Sequence, residues 1–146
     1  MRVGIGSDHA GFEYKEALIA HLREHGHEVV DFGAFSYEPL DAYPTFIRPV
    51  AEAVASAEVE RGIVLGGSGN GEAIVANRVR GVRCPVVWSE ETASLGRHHN
   101  DANCISIGQR MVSLELAKKM VDIFLAEPFD GGRHSERIAM IDVSTK

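Results

Sequence analysis

The sequence has few cysteines, no long apolar run and no excess of positive charge. Its two cysteines, Cys84 and Cys104, form neither a metal-ligand spacing nor a disulfide framework, which favours a reducing compartment. A net charge of −6 argues against general binding to nucleic acid or acidic membranes. No apolar stretch could span a bilayer, and the chain starts in a strand-like run without a signal peptide or lipidation signal. We therefore expect a cytoplasmic protein with neither nucleic-acid nor membrane partners.

Apolar strand-like runs alternate with helical patterns along the whole chain, and repeats and linkers are lacking. The length predicts one domain over residues 1–146. Strands that are apolar throughout indicate a parallel sheet covered on both faces. The pattern predicts an α/β fold, a three-layer αβα sandwich with a doubly wound five-stranded parallel sheet (Rossmann-like) in flavodoxin-like strand order. The predicted strands are 2–7, 28–32, 62–65, 84–88 and 104–107, and the predicted helices are 12–25, 45–57, 73–78, 89–97, 113–126 and 133–143.

A glycine-rich loop, Gly66-Gly67-Ser68-Gly69-Asn70-Gly71-Glu72, joins the third predicted strand to a helix. Glycines at such a turn let backbone N–H groups surround an anion, and the helix N-terminus adds positive potential. Glu72 adds a carboxylate at the start of the helix. A base beside a site for an oxyanion is what proton abstraction next to a carbonyl requires.

The loop does not fit the common glycine motifs. Glu72 stands where a Walker loop needs lysine and where a dinucleotide fingerprint needs glycine, and Asn70 stands where a hydrolase elbow needs glycine. A tight turn without function remains an alternative, although the glycine density exceeds what a turn needs.

Other polar residues follow the first and fifth predicted strands, at the edge where ligands bind in parallel sheets. Asp8 could accept a proton from a sugar hydroxyl or merely cap the following helix, and His9 could bind an anion. Arg110 follows the fifth strand, while Arg133 and Arg137 share a helix face, so these arginines could clamp a phosphate or be surface residues.

Two adjacent histidines, His98 and His99, end a predicted helix. One is a candidate general acid or base, because imidazole titrates near neutral pH, and the alternative is a solvated helix end. A metal site built from Asp8, His9, His98, His99 and Asp101 is disfavoured, because these residues lack a ligand spacing.

Together these motifs resemble the ribose-5-phosphate isomerase B family, which also includes galactose-6-phosphate and allose-6-phosphate isomerases. The resemblance covers essentially the full chain and is carried by residues 6–11, 66–72, 98–103 and 108–110 with Arg133 and Arg137. Many members carry a cysteine base at the position of Gly66. This chain resembles the branch in which the glutamate at the helix start, here Glu72, takes that role.

The resemblance implies an aldose–ketose isomerase acting on ribose 5-phosphate and ribulose 5-phosphate through a cis-enediolate. Glu72 would be the base, Asp8 and His99 would assist ring opening, and Ser68 would help to stabilise the oxyanion. The remaining implied contacts are the loop residues Gly67, Gly69, Asn70 and Gly71 for the oxyanion, Asn100 and Tyr43 for the sugar, and His9, Arg110, Arg133 and Arg137 for the phosphate.

The resemblance also implies that neither a metal nor a cofactor is needed. It implies a homodimer or a dimer of dimers whose active sites are shared between subunits. Three alternatives stay open: isomerisation of another sugar phosphate (erythrulose 4-phosphate, allose 6-phosphate or galactose 6-phosphate), a non-catalytic phosphosugar-binding protein, and a subunit that needs a different partner chain.

Overall fold

The computed structural model describes residues 1–143, in which strands alternate with helices. This alternation confirms the predicted α/β class, while residues 144–146 of the predicted domain lie outside the described residues. The strands are β1 (Arg2–Ser7), β2 (Glu28–Asp31), β3 (Arg61–Gly66) and β4 (Cys104–Gly108). The helices are α1 (Phe12–Glu24), α2 (Pro44–Ala55), α3 (Asn70–Asn77), α4 (Glu90–Asn100), α5 (Leu114–Ala126) and α6 (Arg133–Ala139), with a 3-10 turn over His9–Gly11.

Within residues 1–143 the sheet has four parallel strands in the order β2-β1-β3-β4. The prediction of a strand over residues 84–88, and therefore of five strands, was wrong, because this segment makes one isolated parallel bridge, from Val86 to Ser106. The N–H groups of Arg83 and Cys84 donate to side-chain oxygens of asparagines, and Pro85 has no N–H to donate. Side-chain amides therefore take the N–H groups of residues 83 and 84, while a few backbone hydrogen bonds still join the segment to β4.

The position of this segment also changes the predicted strand order. Ser106 N–H donates to the Pro85 carbonyl, and Val87 N–H donates to the Ser106 carbonyl, so residues 84–88 lie on the outer side of β4. In a flavodoxin-like order this segment would lie next to β3 instead. The flavodoxin-like prediction thus holds for β2, β1 and β3 and fails for the last two segments.

Each face of the sheet packs against its own layer of helices. On β3, Ile63 and Leu65 point into one apolar cluster with α1, α4 and α5, while Val64 points into a second cluster with α2 and α3. This burial on both faces explains the continuous apolar strands and is compatible with the predicted three-layer sandwich.

The helix boundaries shift by a few residues from the predicted ones. The helix α2 begins at Pro44, which suits a first turn because its missing N–H is not needed there, and it continues through Pro49. The helix α3 begins at Asn70, inside the glycine loop, and α6 ends at Ala139. Among the described residues, no helix is both long enough and apolar enough to cross a membrane.

Candidate active site

The carboxyl ends of β1 and β3 meet at a cavity of about 360 Å³. Asp8 and His9 follow β1, and the glycine loop follows β3, as expected for the carboxyl edge of a parallel sheet. Eight of the predicted site residues line this cavity, together with Ala10: Asp8, His9, Tyr43, Gly67, Ser68, Gly71, Glu72 and Arg110.

The carboxyl group of Glu72 lies directly above Gly66 at the end of β3. The Glu72 residue is only 4% exposed. A Cβ atom built on Gly66 would overlap the carboxyl carbon and both carboxyl oxygens of Glu72. Only glycine at position 66 therefore leaves room for the carboxyl group at this place.

The surroundings of Glu72 raise the pKa of its carboxyl group. The largest cause is burial, which disfavours the charged form, and the second is the nearby negative charge of Asp8. The backbone N–H groups of Glu72 itself and of Gly69 act in the opposite direction. Because a raised pKa makes a carboxylate a stronger base, the site suits removal of a proton from carbon.

The glycine loop is held in shape from both sides. Gly69 has φ +84° just before α3, and its carbonyl accepts a hydrogen bond from the buried Ser106 hydroxyl at 2.7 Å. The Asn70 N–H donates to Ser68 Oγ at 3.2 Å. Gly69 is thus buried beneath the loop, and Asn70 lines neighbouring cavities with Val86 rather than the Glu72 cavity. Of the predicted loop contacts, these two do not line the cavity, although the Gly69 N–H lies against the Glu72 carboxyl group.

Asp8 caps the following turn, as one of its two alternatives predicted, and it also faces the cavity. Its Oδ1 accepts the N–H groups of Ala10 at 2.9 Å and Gly11 at 3.3 Å, which caps the 3-10 turn. The same side chain is 7% exposed and lines the cavity beside Glu72. Capping therefore fixes the carboxylate in the position from which it raises the pKa of Glu72.

His9 is anchored by a residue that the sequence analysis missed. Asp41 Oδ1 lies 2.7 Å from His9 Nδ1 and accepts the His9 backbone N–H at 3.0 Å. The Nδ1 atom must carry the proton, because a carboxylate oxygen accepts, and this leaves Nε2 for a ligand. Asp41 lies in the loop before α2, where no spacing or motif marked it.

Large side chains from other elements pack directly against the backbone of two glycines of the loop. The guanidinium Nη1 of Arg110 lies 3.0 Å from the place of a Cβ on Gly67. The Tyr43 ring lies 2.7 Å from the place of a Cβ on Gly71. The absence of side chains at 67 and 71 therefore lets a cation and a phenol reach the cavity.

A second group of predicted residues lies at the end of α4 and on α6: His99, Asn100, Arg133 and Arg137. The His99 ring stacks on His134, with centroids 4.4 Å apart and planes 13° apart. Arg137 Nη1 donates to the Arg133 carbonyl at 2.9 Å, and both arginines are exposed. Asn100 lines another cavity with Arg83 and Pro85. A single chain does not bring His99, Asn100, Arg133 or Arg137 into the Glu72 cavity. No motif or spacing in the sequence indicated His134 as a site residue.

His98 has a different environment from His99. Its Nδ1 lies 2.6 Å from Asp130 and its Nε2 lies 2.9 Å from Glu127, which ties α4 to the segment before α6. The hydrogen bond to Asp130 is the main cause that raises the pKa of His98. Asp101 pairs with Arg97 at 2.9 Å. The five residues of the metal alternative thus do not converge: Asp8 and His9 lie in the Glu72 cavity, and the other three lie at the end of α4.

Comparisons with known proteins give a consistent result. A family described as Ribose/Galactose Isomerase matches residues 3–141. A ribose-5-phosphate isomerase B from Mycolicibacterium paratuberculosis is 50% identical, over 97% of this chain and 89% of that protein. The solved structure of the Clostridium thermocellum ribose-5-phosphate isomerase B has a TM-score of 0.94 and 46% identity, covering 97% of this chain and 95% of that one. A Mycoplasma genitalium ribose-5-phosphate isomerase B, solved with bound ribulose-5-phosphate, has a TM-score of 0.92 and 38% identity, covering 96% and 93%. The chain therefore belongs to the ribose/galactose isomerase family, the ribose-5-phosphate isomerase B family that its motifs resemble.

Proposed function

We propose that this chain interconverts D-ribose 5-phosphate and D-ribulose 5-phosphate, with Glu72 as the base. The observation that carries the proposal is the buried carboxyl group of Glu72 above Gly66, inside a cavity that also contains Arg110. The ribulose-5-phosphate bound to the related Mycoplasma genitalium protein supports the choice of substrate.

The reaction needs one base that reaches two adjacent carbons. In the open-chain aldose, Glu72 removes the proton from C2, which gives a cis-enediolate with its negative charge on O1. The hydroxyl proton then moves from O2 to O1, and Glu72 returns the first proton to C1, which gives the ketose with its carbonyl at C2. A carboxylate has two oxygens on a short flexible arm, which suits this transfer. Asp8 and His99 assist furanose ring opening by moving protons between ring oxygen and hydroxyl.

The developing oxyanion is stabilised by the Ser68 hydroxyl and by N–H groups of the loop, from Gly67 through Gly69, Asn70 and Gly71. Each well-placed donor could contribute about 3–4 kcal/mol to the transition state. Gly67 and Gly71 border the Glu72 cavity. A substrate-induced adjustment of the loop would be needed for Gly69 and Asn70 to take part.

The phosphate is held by His9 and Arg110 from one group and by Arg133 and Arg137 from the other. Asn100 and Tyr43 contact the sugar. Since one chain keeps the two groups apart, we propose a homodimer, or a dimer of dimers, in which one subunit supplies the Glu72 group and its partner supplies the His99 group. We further propose one cytoplasmic domain that needs neither metal nor cofactor, so EDTA should leave turnover unchanged.

A substrate panel tests the proposed activity. The purified chain is assayed with ribose 5-phosphate, erythrulose 4-phosphate, allose 6-phosphate and galactose 6-phosphate, and kcat/KM is compared. We expect the highest value for ribose 5-phosphate. Because the matched family covers galactose isomerases as well, a hexose phosphate is the second candidate, and a higher kcat/KM with a hexose phosphate would reassign the substrate.

Deuterium exchange separates catalysis from mere binding. In D2O, an isomerase that uses one base incorporates solvent deuterium into the sugar phosphate during turnover. A non-catalytic binding protein would bind ribose 5-phosphate and incorporate none. A chain that needs a different partner would show neither turnover nor exchange when purified alone.

A further inference from the structure

A cluster of imidazoles lies at the opposite edge of the sheet from the candidate active site. His21 and His25 lie one turn apart at the end of α1, and His27 lies just before β2. Asp122 reaches the cluster from α5. Because α1 runs from the carboxyl end of β1 back to the start of β2, the cluster lies at the amino-terminal edge of the strands, away from Glu72.

The side chains of His21, His25 and Asp122 converge. His21 Nε2 lies 2.8 Å from Asp122 Oδ1, and the rings of His21 and His25 have centroids 4.2 Å apart. One ligand atom from each of the three residues lies within 4.8 Å of the others. A tetrahedral zinc ion holds its nitrogen and oxygen ligands about 3.3 Å apart, so small side-chain rotations would close the site.

The tautomer of His25 that its hydrogen bond selects favours metal binding. Its Nδ1 lies 2.7 Å from the His21 carbonyl oxygen. A carbonyl oxygen only accepts, so Nδ1 carries the proton and Nε2 keeps its lone pair in the neutral ring. A ligating histidine usually donates its other ring N–H to a carbonyl or carboxylate in this way.

The cluster borders a cavity through which an ion can reach it. The cavity of about 430 Å³, lined by His25, His27, Asp122, Leu125 and Ala126, leaves the cluster open to solvent.

We propose that His21, His25 and Asp122 form a binding site for one divalent transition-metal ion of the zinc type, with water completing its coordination. Imidazole nitrogens with one carboxylate oxygen suit Zn²⁺ better than Mg²⁺ or Ca²⁺, which prefer oxygen ligands. The ion would link the end of α1 to α5 and stabilise the folded chain. This site does not depend on the proposed isomerase activity, because it lies at the other edge of the sheet.

The test uses the full chain without a histidine tag, stripped of metal and titrated with ZnCl₂ by calorimetry. His25→Ala removes one ligand but keeps the His21–Asp122 contact, so it separates metal binding from a structural ion pair. Asp122→Asn removes the anionic ligand. Glu24→Gln removes an exposed carboxylate from the same helix and is the matched control.

We expect one Zn²⁺ per wild-type chain, and at least tenfold weaker binding in His25→Ala and Asp122→Asn. Glu24→Gln should bind like the wild type. Zn²⁺ should also raise the Tm of the wild type and of Glu24→Gln but not that of the two site variants. The proposal is wrong if the wild type shows no saturable binding, or if both site variants bind Zn²⁺ as tightly as the wild type.

Discussion

The carboxyl group of Glu72 occupies the space in which a side chain at position 66 would lie. A reactive group can therefore occupy only one of these two positions. A side chain on residue 66 would displace the Glu72 carboxyl group, and the carboxyl group in its present place requires glycine at position 66. This relationship gives a physical reason for the absence of the cysteine base that many relatives are expected to carry there. It also makes the base assignment open to direct tests.

Gly66→Ala tests whether the space above residue 66 is needed. The added methyl group would force the Glu72 carboxyl away from its place, and a displacement of about 1 Å can cost on the order of 10²-fold in rate. We expect kcat/KM for ribose 5-phosphate to fall by about that factor, with the fold retained by circular dichroism. Gly96→Ala, on α4, is the control because its new Cβ meets mainly the edge of the Pro85 ring. Equal activities of the two variants would contradict the account.

The pH dependence of stability tests the raised pKa of Glu72. The folded chain holds this proton more tightly than the unfolded chain, where the pKa is about 4.5. The resulting stabilisation is fully present below pH 4.5 and is lost as pH rises through the folded pKa, so ionised Glu72 destabilises the fold. We expect Glu72→Gln to have a higher Tm than the wild type at about pH 8, and the difference to narrow toward pH 4.5.

Thermal unfolding over this pH range checks the expectation, with Glu13→Gln as the control because Glu13 is exposed on α1. A Glu72→Gln variant that is less stable than the wild type at about pH 8 would show that burial does not raise this pKa. In the active protein, kcat/KM should rise with pH through the same pKa, because only the ionised carboxylate can take the proton.

Asp41→Asn tests how His9 is oriented. Asparagine keeps an acceptor for the two hydrogen bonds to His9 but removes the negative charge beside its ring. Hydrogen bonds to charged groups contribute about 1.5–3 kcal/mol, so we expect KM to rise roughly tenfold with little change in kcat. Glu38→Gln, in the same loop and exposed, should leave both constants unchanged. An unchanged KM in Asp41→Asn would show that this contact does not serve substrate binding.

Subunit complementation tests the shared active site. Glu72→Gln removes the base from the Glu72 group, and Arg137→Ala removes a phosphate contact from the His99 group. Each variant homodimer should therefore be nearly inactive. When the two variants are unfolded together and reassembled, mixed dimers contain one site with both groups intact, and activity should return to about a quarter of the wild-type level for random pairing. Failure of any mixture to regain activity, with dimers present by light scattering, would place both groups in one subunit.

The sequence predicted the parallel sheet and the convergence of Asp8 with the glycine loop, because apolar strands and their carboxyl ends follow from pattern alone. It did not predict the loss of the strand at 84–88, since that depends on Asn77 and Asn103 taking over backbone hydrogen bonds from distant positions. Asp41 and His134 were missed for a similar reason: their contacts with His9 and His99 are made only in the folded chain. Similarly, the sequence identified His99 and the arginines of α6 without showing that one chain keeps them away from Glu72.

The most direct measurement is the exchange of solvent deuterium into ribose 5-phosphate by Glu72→Gln, compared with the wild type, followed by proton NMR. Glutamine fills the same space but cannot take a proton. We expect exchange and kcat to fall together by about 10²- to 10⁴-fold, while the KM for ribose 5-phosphate changes little. Exchange and turnover at near wild-type rates in Glu72→Gln would show that another group moves the proton.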